Sequence, residues 1–120
     1  MKFIIDLIED MRSVVENDTD FSISAMLLKE ESEGQFTPAG EAAVARYTVD
    51  DKEKKIFFFL AQDQALNAHK TLDELNTLSN EAMMYQAMVS YSANGQRIDK
   101  ELIGFGESLD EKKYLLFINA

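Results

Sequence analysis

The spacing of apolar residues predicts an amphipathic helix at the start of the chain. From Phe3 to Glu16 apolar side chains recur three and four positions apart, which places them on one stripe of a helix: Ile4, Leu7, Ile8, Met11, Val14 and Val15. The segment Asn17-Asp18-Thr19-Asp20 then ends the helix, because it consists of residues that favour turns. The apolar stripe has to be buried, so the helix must pack on another element.

Three strands are predicted after this helix. Phe21 to Leu27 alternates apolar and polar residues at its start, as a half-buried strand does. The polar segment Glu30 to Gly40 contains glycine and proline and is predicted to be a loop. A second strand covers Ala43 to Val49, a reversal follows at Asp50 to Glu53, and the third strand, Ile56 to Leu60, is apolar on both faces.

The second half of the chain gives a weaker pattern up to residue 81. Thr71 and Glu74 have the spacing of a capping box, and leucines continue the helical period, so a short helix is predicted from Thr71 to Leu78. The segment Met83 to Ser92 fits either a helix or a strand.

The dipeptide Asn94-Gly95 decides between the two, because it favours the type I′ turn of a β-hairpin. We therefore predict strands at Met84 to Ala93 and Gln96 to Phe105. Tyr114 to Ile118 supplies a last strand, again apolar on both faces.

The two halves repeat one order of elements, a helix followed by three strands. Each third strand follows a Lys-Lys pair, Lys54-Lys55 in the first half and Lys112-Lys113 in the second, and Ala25-Met26 resembles Ala87-Met88. The alternative is two hairpins built from common strand residues. We predict an α+β fold with a mostly antiparallel sheet of about six strands and two helices, consistent with a duplicated αβββ unit. We expect residues 1–120 to form a single domain, with sub-units 1–61 and 62–120.

Strands that are apolar on both faces need cover on both faces, and two short helices cover little of a six-stranded sheet. Sheet curvature, loops or a second copy of the chain could provide the rest. We expect a homodimer, since exposed apolar patches on soluble monomers are usually small. The predicted interface residues are Phe57, Phe59, Leu115 and Phe117.

Charge and composition narrow the functional classes. The 120 residues carry a net charge of −10, which disfavours direct nucleic-acid binding, and the absence of cysteine excludes disulfides and thiolate metal sites. The acidity serves solubility or offers a face to a basic protein. Acidic residues interrupt the N-terminal apolar run, so no secretory signal is expected. The apolar stretch Ile56 to Ala61 is too short for a membrane span. We expect a cytoplasmic protein.

The residues that carry chemistry form no catalytic or ligand-binding motif. The single histidine, His69, lies in a polar segment, and neither Ser79 nor Ser90 sits in the Gly-x-Ser-x-Gly motif of a nucleophile elbow. The segment that begins at Asp18 lacks the glycine and the final glutamate of a calcium loop. Gly104-Phe105-Gly106 is better explained by a bend or a bulge than by a phosphate loop. We therefore predict no catalytic residue, no metal and no cofactor.

The functional hypotheses rank as follows. The first is a non-enzymatic binding or protein-interaction protein that acts through an apolar sheet face or an acidic surface. Next come an acidic antagonist that mimics nucleic acid and a small secretion-type chaperone. An enzyme or a small-ligand-binding fold ranks last, because its usual motifs are missing.

Overall fold

Hydrogen bonding between six strands closes the sheet of this protein into a barrel. The computed structural model describes residues 1–120, and its elements are α1 (Ile4–Val15), β1 (Ser22–Ser32), β2 (Gln35–Asp50), β3 (Lys55–Ala61), α2 (Ala68–Leu75), α3 (Asn80–Met83), β4 (Gln86–Ala93), β5 (Gln96–Ser108) and β6 (Lys113–Asn119). The strands follow one another around the barrel in chain order. The predicted α+β fold with a mostly antiparallel six-stranded sheet is confirmed.

The two halves of the chain meet at the only parallel strand pairs of the barrel. β3 pairs with β4, and β6 pairs with β1, whereas all other neighbours are antiparallel. Each half therefore completes the sheet of the other. Neither half has a free edge along the paired parts of these strands, which removes the edges that promote aggregation.

The barrel interior and the helices share one apolar core. It contains 22 buried residues from both halves, among them Ile56 and Phe58 of β3 and Leu116 of β6. Five of the six residues in the predicted stripe of α1 are buried in this core, and Val14 packs against it. Burial of one such side chain contributes about 1.5–3 kcal/mol, so the stripe is a major anchor of the helix.

The helices lie over the end of the barrel at which β1, β3, β4 and β6 begin. The backbone of Lys2 accepts a hydrogen bond from Ala87 of β4, and the backbone of Leu66 accepts one from Ile23 of β1. Two tyrosine hydroxyls tie the helices to the strands. Tyr114 donates to Asp10 of α1, and Tyr47 donates to Glu74 of α2.

The hairpins β2–β3 and β5–β6 are structural duplicates, with the same offset in sequence as the two Lys-Lys pairs. Both contain a bulge at the same place, between Val44 and Arg46 in the first and between Leu102 and Gly104 in the second. Both turns end in a lysine with positive φ, Lys54 at 58° and Lys112 at 55°. The sequence repeat inferred from the Lys-Lys pairs thus marks an equivalence of backbone geometry.

The first strands of the two units correspond at a larger offset than the hairpins do. Ala25 pairs with Leu116, whereas Val89 pairs with Phe58, and these two partners occupy equivalent positions of the duplicate hairpins. Ala25 is therefore equivalent to Val89. Matching Ala25-Met26 to Ala87-Met88 therefore places the strands two residues out of alignment. A two-residue shift keeps the same side chains facing inward, and both strands place small and apolar residues at alternate positions, so the sequences still look alike.

The predicted loop at residues 30–40 is wrong. These residues extend β1 and β2 into a hairpin that turns at Gly34, where φ is 78°. All of them are exposed, so the hairpin needs no apolar alternation and gave no strand signal. The type I′ turn predicted at Asn94-Gly95 fits the structure, where the two φ angles are 53° and 76°.

The second helical region also differs from the prediction. α2 begins at Ala68, and its cap is Asn67, whose side chain accepts a hydrogen bond from the Lys70 backbone. Thr71, predicted as the capping residue, is buried within the helix. Ser79 caps the additional short helix α3 through a bond from the Ala82 backbone. The Thr-Leu-Asp-Glu spacing matched a capping box by chance, since threonine also fits a buried helical position.

Tyr47 provides a test of the contact between α2 and the barrel. Burial and the hydrogen bond to Glu74 raise the pKa of Tyr47 from 10.0 to about 12. The folded state therefore favours the neutral phenol. The resulting stabilisation is complete below pH 10 and is lost as the pH rises from about 10 to about 12. We expect Tyr47→Phe to lower the free energy of unfolding by about 1 kcal/mol at pH 8 and to reduce its alkaline loss, measured by urea unfolding at several pH values.

Tyr91→Phe is the matched control. The hydroxyls of the other three tyrosines each donate a hydrogen bond to a carboxylate, whereas the Tyr91 hydroxyl forms none within the chain. The stability of Tyr91→Phe at pH 8 should stay within about 0.5 kcal/mol of wild type. An alkaline loss in Tyr47→Phe equal to that of wild type would contradict the role given to Tyr47.

Candidate functional site

A cavity of about 660 Å³ opens at the end of β3. β3 stops at Ala61, whereas β2 on one side and β4 on the other continue past it. β2 forms a hairpin with β1, and β4 forms one with β5. The cavity lies between these two hairpins. Its apolar lining includes Leu27, Leu60 and Tyr91, and its polar lining is Arg46, Gln62, Ser90, Ser92 and Arg97.

Two arginines lie on aromatic rings at this cavity. The Arg46 guanidinium carbon is 4.1 Å from the centre of the Phe59 ring, and that of Arg97 is 4.7 Å from Phe57 and 5.2 Å from Phe59. Cation–π contacts of this kind hold the planar guanidinium groups in place. We call the surface formed by Arg46, Phe57, Phe59, Ser90 and Arg97 the arginine face.

The strand register explains why these side chains meet. Phe59 pairs with Arg46 of β2 on one side and with Ser90 of β4 on the other. The bulge beside Ala45 sets the local direction of Arg46, a common use of bulges at functional sites. Arg97 reaches over from β5, and its Nε donates to Ser90 Oγ and to Asp99 Oδ1, each at 2.9 Å. Ser90 is almost completely buried below it.

The two arginines differ in their electrostatic surroundings. Arg97 forms an ion pair with Asp99, and three of the lysines, Lys54, Lys112 and Lys113, are also paired with carboxylates. Arg46 takes part in none of the ion pairs of the protein. The arginine face therefore carries one cation with no carboxylate partner, in a chain whose net charge is −10.

The duplicate hairpin shows that the fold does not require this arrangement. At the position equivalent to Phe59 stands Phe117, which pairs with Gly104 and with Met26. Gly104 thus replaces Arg46, and Met26 replaces Ser90, at the same points of the same backbone geometry. Because the second bulge is built without an arginine or a serine, closing the barrel does not require the polar groups of the arginine face.

The four predicted interface residues all lie on the outer face of the barrel, in two separate places. Phe57 and Phe59 belong to the arginine face, with ring centres 6.4 Å apart. Leu115 and Phe117 lie on β6, where the Phe117 ring rests on Gly106 of β5. Phe57 and Leu115 are 7% and 6% exposed, so most of their surface is covered within one copy of the chain. Their role in a dimer stays a prediction.

The other residues considered from sequence have local structural partners. His69 Nδ1 is 2.9 Å from the Val15 carbonyl oxygen, and it therefore joins α2 to α1. Ser79 caps α3, and Ser90 accepts from Arg97. No three His, Asp or Glu side chains converge closely enough to hold a metal ion. None of the helices has the length and apolar character needed to cross a bilayer.

Sequence reasoning missed Arg46 and Arg97 as functional candidates. They are two of only three arginines in the chain, and each stands at a strand position that faces outward. The small number of arginines was the one sequence feature that could have drawn attention to these two residues, and it is a weak one. Their convergence depends on β3 and β4 becoming parallel neighbours, which the sequence did not specify.

Comparison with models of known protein families, with characterised proteins and with solved structures finds no match to this chain. The geometry of the cavity and of the arginine face is therefore the basis for the function proposed below.

The contact between Phe117 and the glycines of β5 can be tested by adding single methyl groups. A Cβ at Gly106 would lie 2.5 Å from Phe117 Cζ, too close for the ring to stay where it is. Gly106→Ala should therefore lower the free energy of unfolding by about 1–3 kcal/mol in a urea titration.

Gly104→Ala is the matched control on the same strand. Its Cβ would lie 3.5 Å from the same ring, an ordinary contact, so its stability should stay near that of wild type. Equal stabilities for the two variants would contradict this prediction, because they would show that the Phe117 ring moves off Gly106 without measurable cost.

Proposed function

We propose that this chain is a non-enzymatic binding protein that contacts a partner through the arginine face. The observation that carries the proposal is the unpaired Arg46 stacked on Phe59 beside a concave cavity. Arginine and aromatic residues are enriched among the side chains that contribute most to binding energy at protein interfaces. Stacking also limits the motion of the guanidinium, so less entropy is lost when a partner binds.

The charges around the arginine face indicate the kind of group it accepts. Arg46 has its guanidinium donors unused by any carboxylate, as have Arg12 and most of the lysines. Arg46 differs from these other cations because it lies on an aromatic ring and lines the cavity. A partner that brings a carboxylate to Arg46 gains a charge-assisted hydrogen bond. The surface is therefore suited to an acidic group next to apolar contacts.

A second copy of the chain is the partner to test first. The end of β1 and the start of β2 form a projecting hairpin whose residues 30–40 are all exposed. This hairpin carries Glu30, Glu31, Glu33 and Phe36. It offers acidic groups, which could pair with Arg46, and an exposed aromatic ring for apolar contact. In a two-fold dimer each copy would present its hairpin to the arginine face of the other, which gives a self-complementary interface.

The experiment is sedimentation velocity over a range of protein concentrations, supported by native mass spectrometry. We expect a dimer for wild type and at least a tenfold weaker dimer for Arg46→Glu, because the substitution places a carboxylate opposite carboxylates. Arg12→Glu is the matched control. Arg12 is also exposed, lies on α1 and bonds to Asn76, so its reversal should leave dimerisation unchanged.

The outcomes test the contact surface and the identity of the partner separately. A dimer that Arg46→Glu leaves intact would contradict the arginine face as the contact surface. A wild-type monomer at all concentrations would exclude the second copy as partner. In that case a cellular protein retained by wild type and by Arg12→Glu, but not by Arg46→Glu, would support the surface, and equal retention by all three would contradict it.

A further inference from the structure

We infer that the cavity at the end of β3 binds a monocarboxylate with an apolar body, its carboxylate on Arg46 and Arg97 and its apolar part against Leu27, Leu60 and Tyr91. This inference rests on the proposed function only for its use of the arginine face. It concerns a small ligand bound by a single copy of the chain.

The shape of the cavity fits such a ligand. Its volume of about 660 Å³ lies within the range of about 300–1,000 Å³ that small-molecule sites occupy. The floor consists of Leu27, Leu60 and Tyr91, which pack partly against the barrel core. Arg46 and Arg97 line the same cavity as these apolar side chains, so a bound molecule can meet both an apolar surface and guanidinium groups.

The charge of the cavity selects a monoanion. The two arginines contribute two positive charges, and Asp99, bonded to Arg97, removes one. A single carboxylate therefore balances the site. A phosphate dianion would leave an excess negative charge in a protein that already carries −10, and it would not use the apolar floor.

The guanidinium geometry favours a carboxylate. Arg46 lies on the Phe59 ring, which uses the face of the guanidinium and leaves the N–H groups at its edge free to donate. An arginine edge matches the two oxygens of a carboxylate and can bind both at once. Arg97 is held through Nε by Ser90 and Asp99, and its terminal nitrogens form no hydrogen bond within the chain. The residue lines the cavity together with Arg46.

The duplicate position argues against a merely structural origin of this site. The end of β6 has the same backbone arrangement, but Gly104 and Met26 stand where Arg46 and Ser90 line the cavity. Only the first of the two equivalent positions combines positive charge with an apolar floor. The shared backbone geometry of the two units therefore does not require this combination.

The test uses octanoate as the probe and octanamide, which has the same length but no charge, as its matched control. Binding to ¹⁵N-labelled protein is followed by NMR at a concentration where the protein is monomeric. We expect octanoate to bind with a Kd on the order of 1 mM or tighter and to shift the amide signals of Ala42, Ala45, Ala61 and Ser92, which line the cavity. Octanamide should bind at least tenfold more weakly, because it cannot form charge-assisted hydrogen bonds.

Two variants locate the carboxylate. Arg46→Gln should weaken octanoate binding about tenfold and leave octanamide binding unchanged, whereas Arg12→Gln should change neither. The amide spectrum of each variant shows whether it is folded. Inorganic phosphate serves as a second probe and should produce smaller shifts at the same signals.

Several results would overturn the inference: equal binding of octanoate and octanamide, unchanged octanoate binding by folded Arg46→Gln, shifts that lie outside the cavity, or phosphate binding as tight as that of octanoate. These results leave the dimer experiment untouched. A dimer that depends on Arg46 together with no octanoate binding refutes only the ligand, and octanoate binding by a protein that never dimerises refutes only the second copy as partner.

Discussion

The parallel pairing of β3 with β4 and of β6 with β1 is the constraint on which the rest of this structure depends. Each third strand is apolar on both faces, so it can be stable only as an inner strand with cover on both sides. The parallel pairs place β3 and β6 between two neighbours each and bend the sheet until it closes. Ile56, Phe58 and Leu116 then face a common interior, which the helices seal at one end.

Closure leaves the outward residues of the same strands to be covered by other means, and the two halves solve this problem differently. On β6 the Phe117 ring lies on Gly106, whose missing side chain makes room for it. On β3 the rings of Phe57 and Phe59 are covered by guanidinium groups from β2 and β5. The first solution is apolar and self-contained. The second places positive charge at the surface beside a cavity, and this surface is the one to which we assign binding in the proposed function.

The sequence predicted those parts of the fold that depend on local pattern. The stripe of α1, the Asn94-Gly95 turn and the two-faced strands each follow from the residues nearby, and the Lys-Lys repeat pointed to the duplication. The exposed hairpin at residues 30–40 was missed, because strands with both faces in water need no alternation. The cavity could not be predicted, since Arg46 and Arg97 belong to different halves of the chain and meet only through the β3–β4 pair.

The net charge and the arginine face act at different ranges, and together they restrict what can bind. At long range a charge of −10 repels every anion, and repels polyanions most. At short range the unpaired guanidinium of Arg46 attracts one negative group, and the attraction grows when water is displaced from the ring below it. The binding free energy of a partner is favourable only if apolar contacts add to that single charge–charge interaction. If the cavity binds as we propose, the acidity of the chain disfavours nucleic acids and other polyanions relative to apolar molecules that carry one carboxylate.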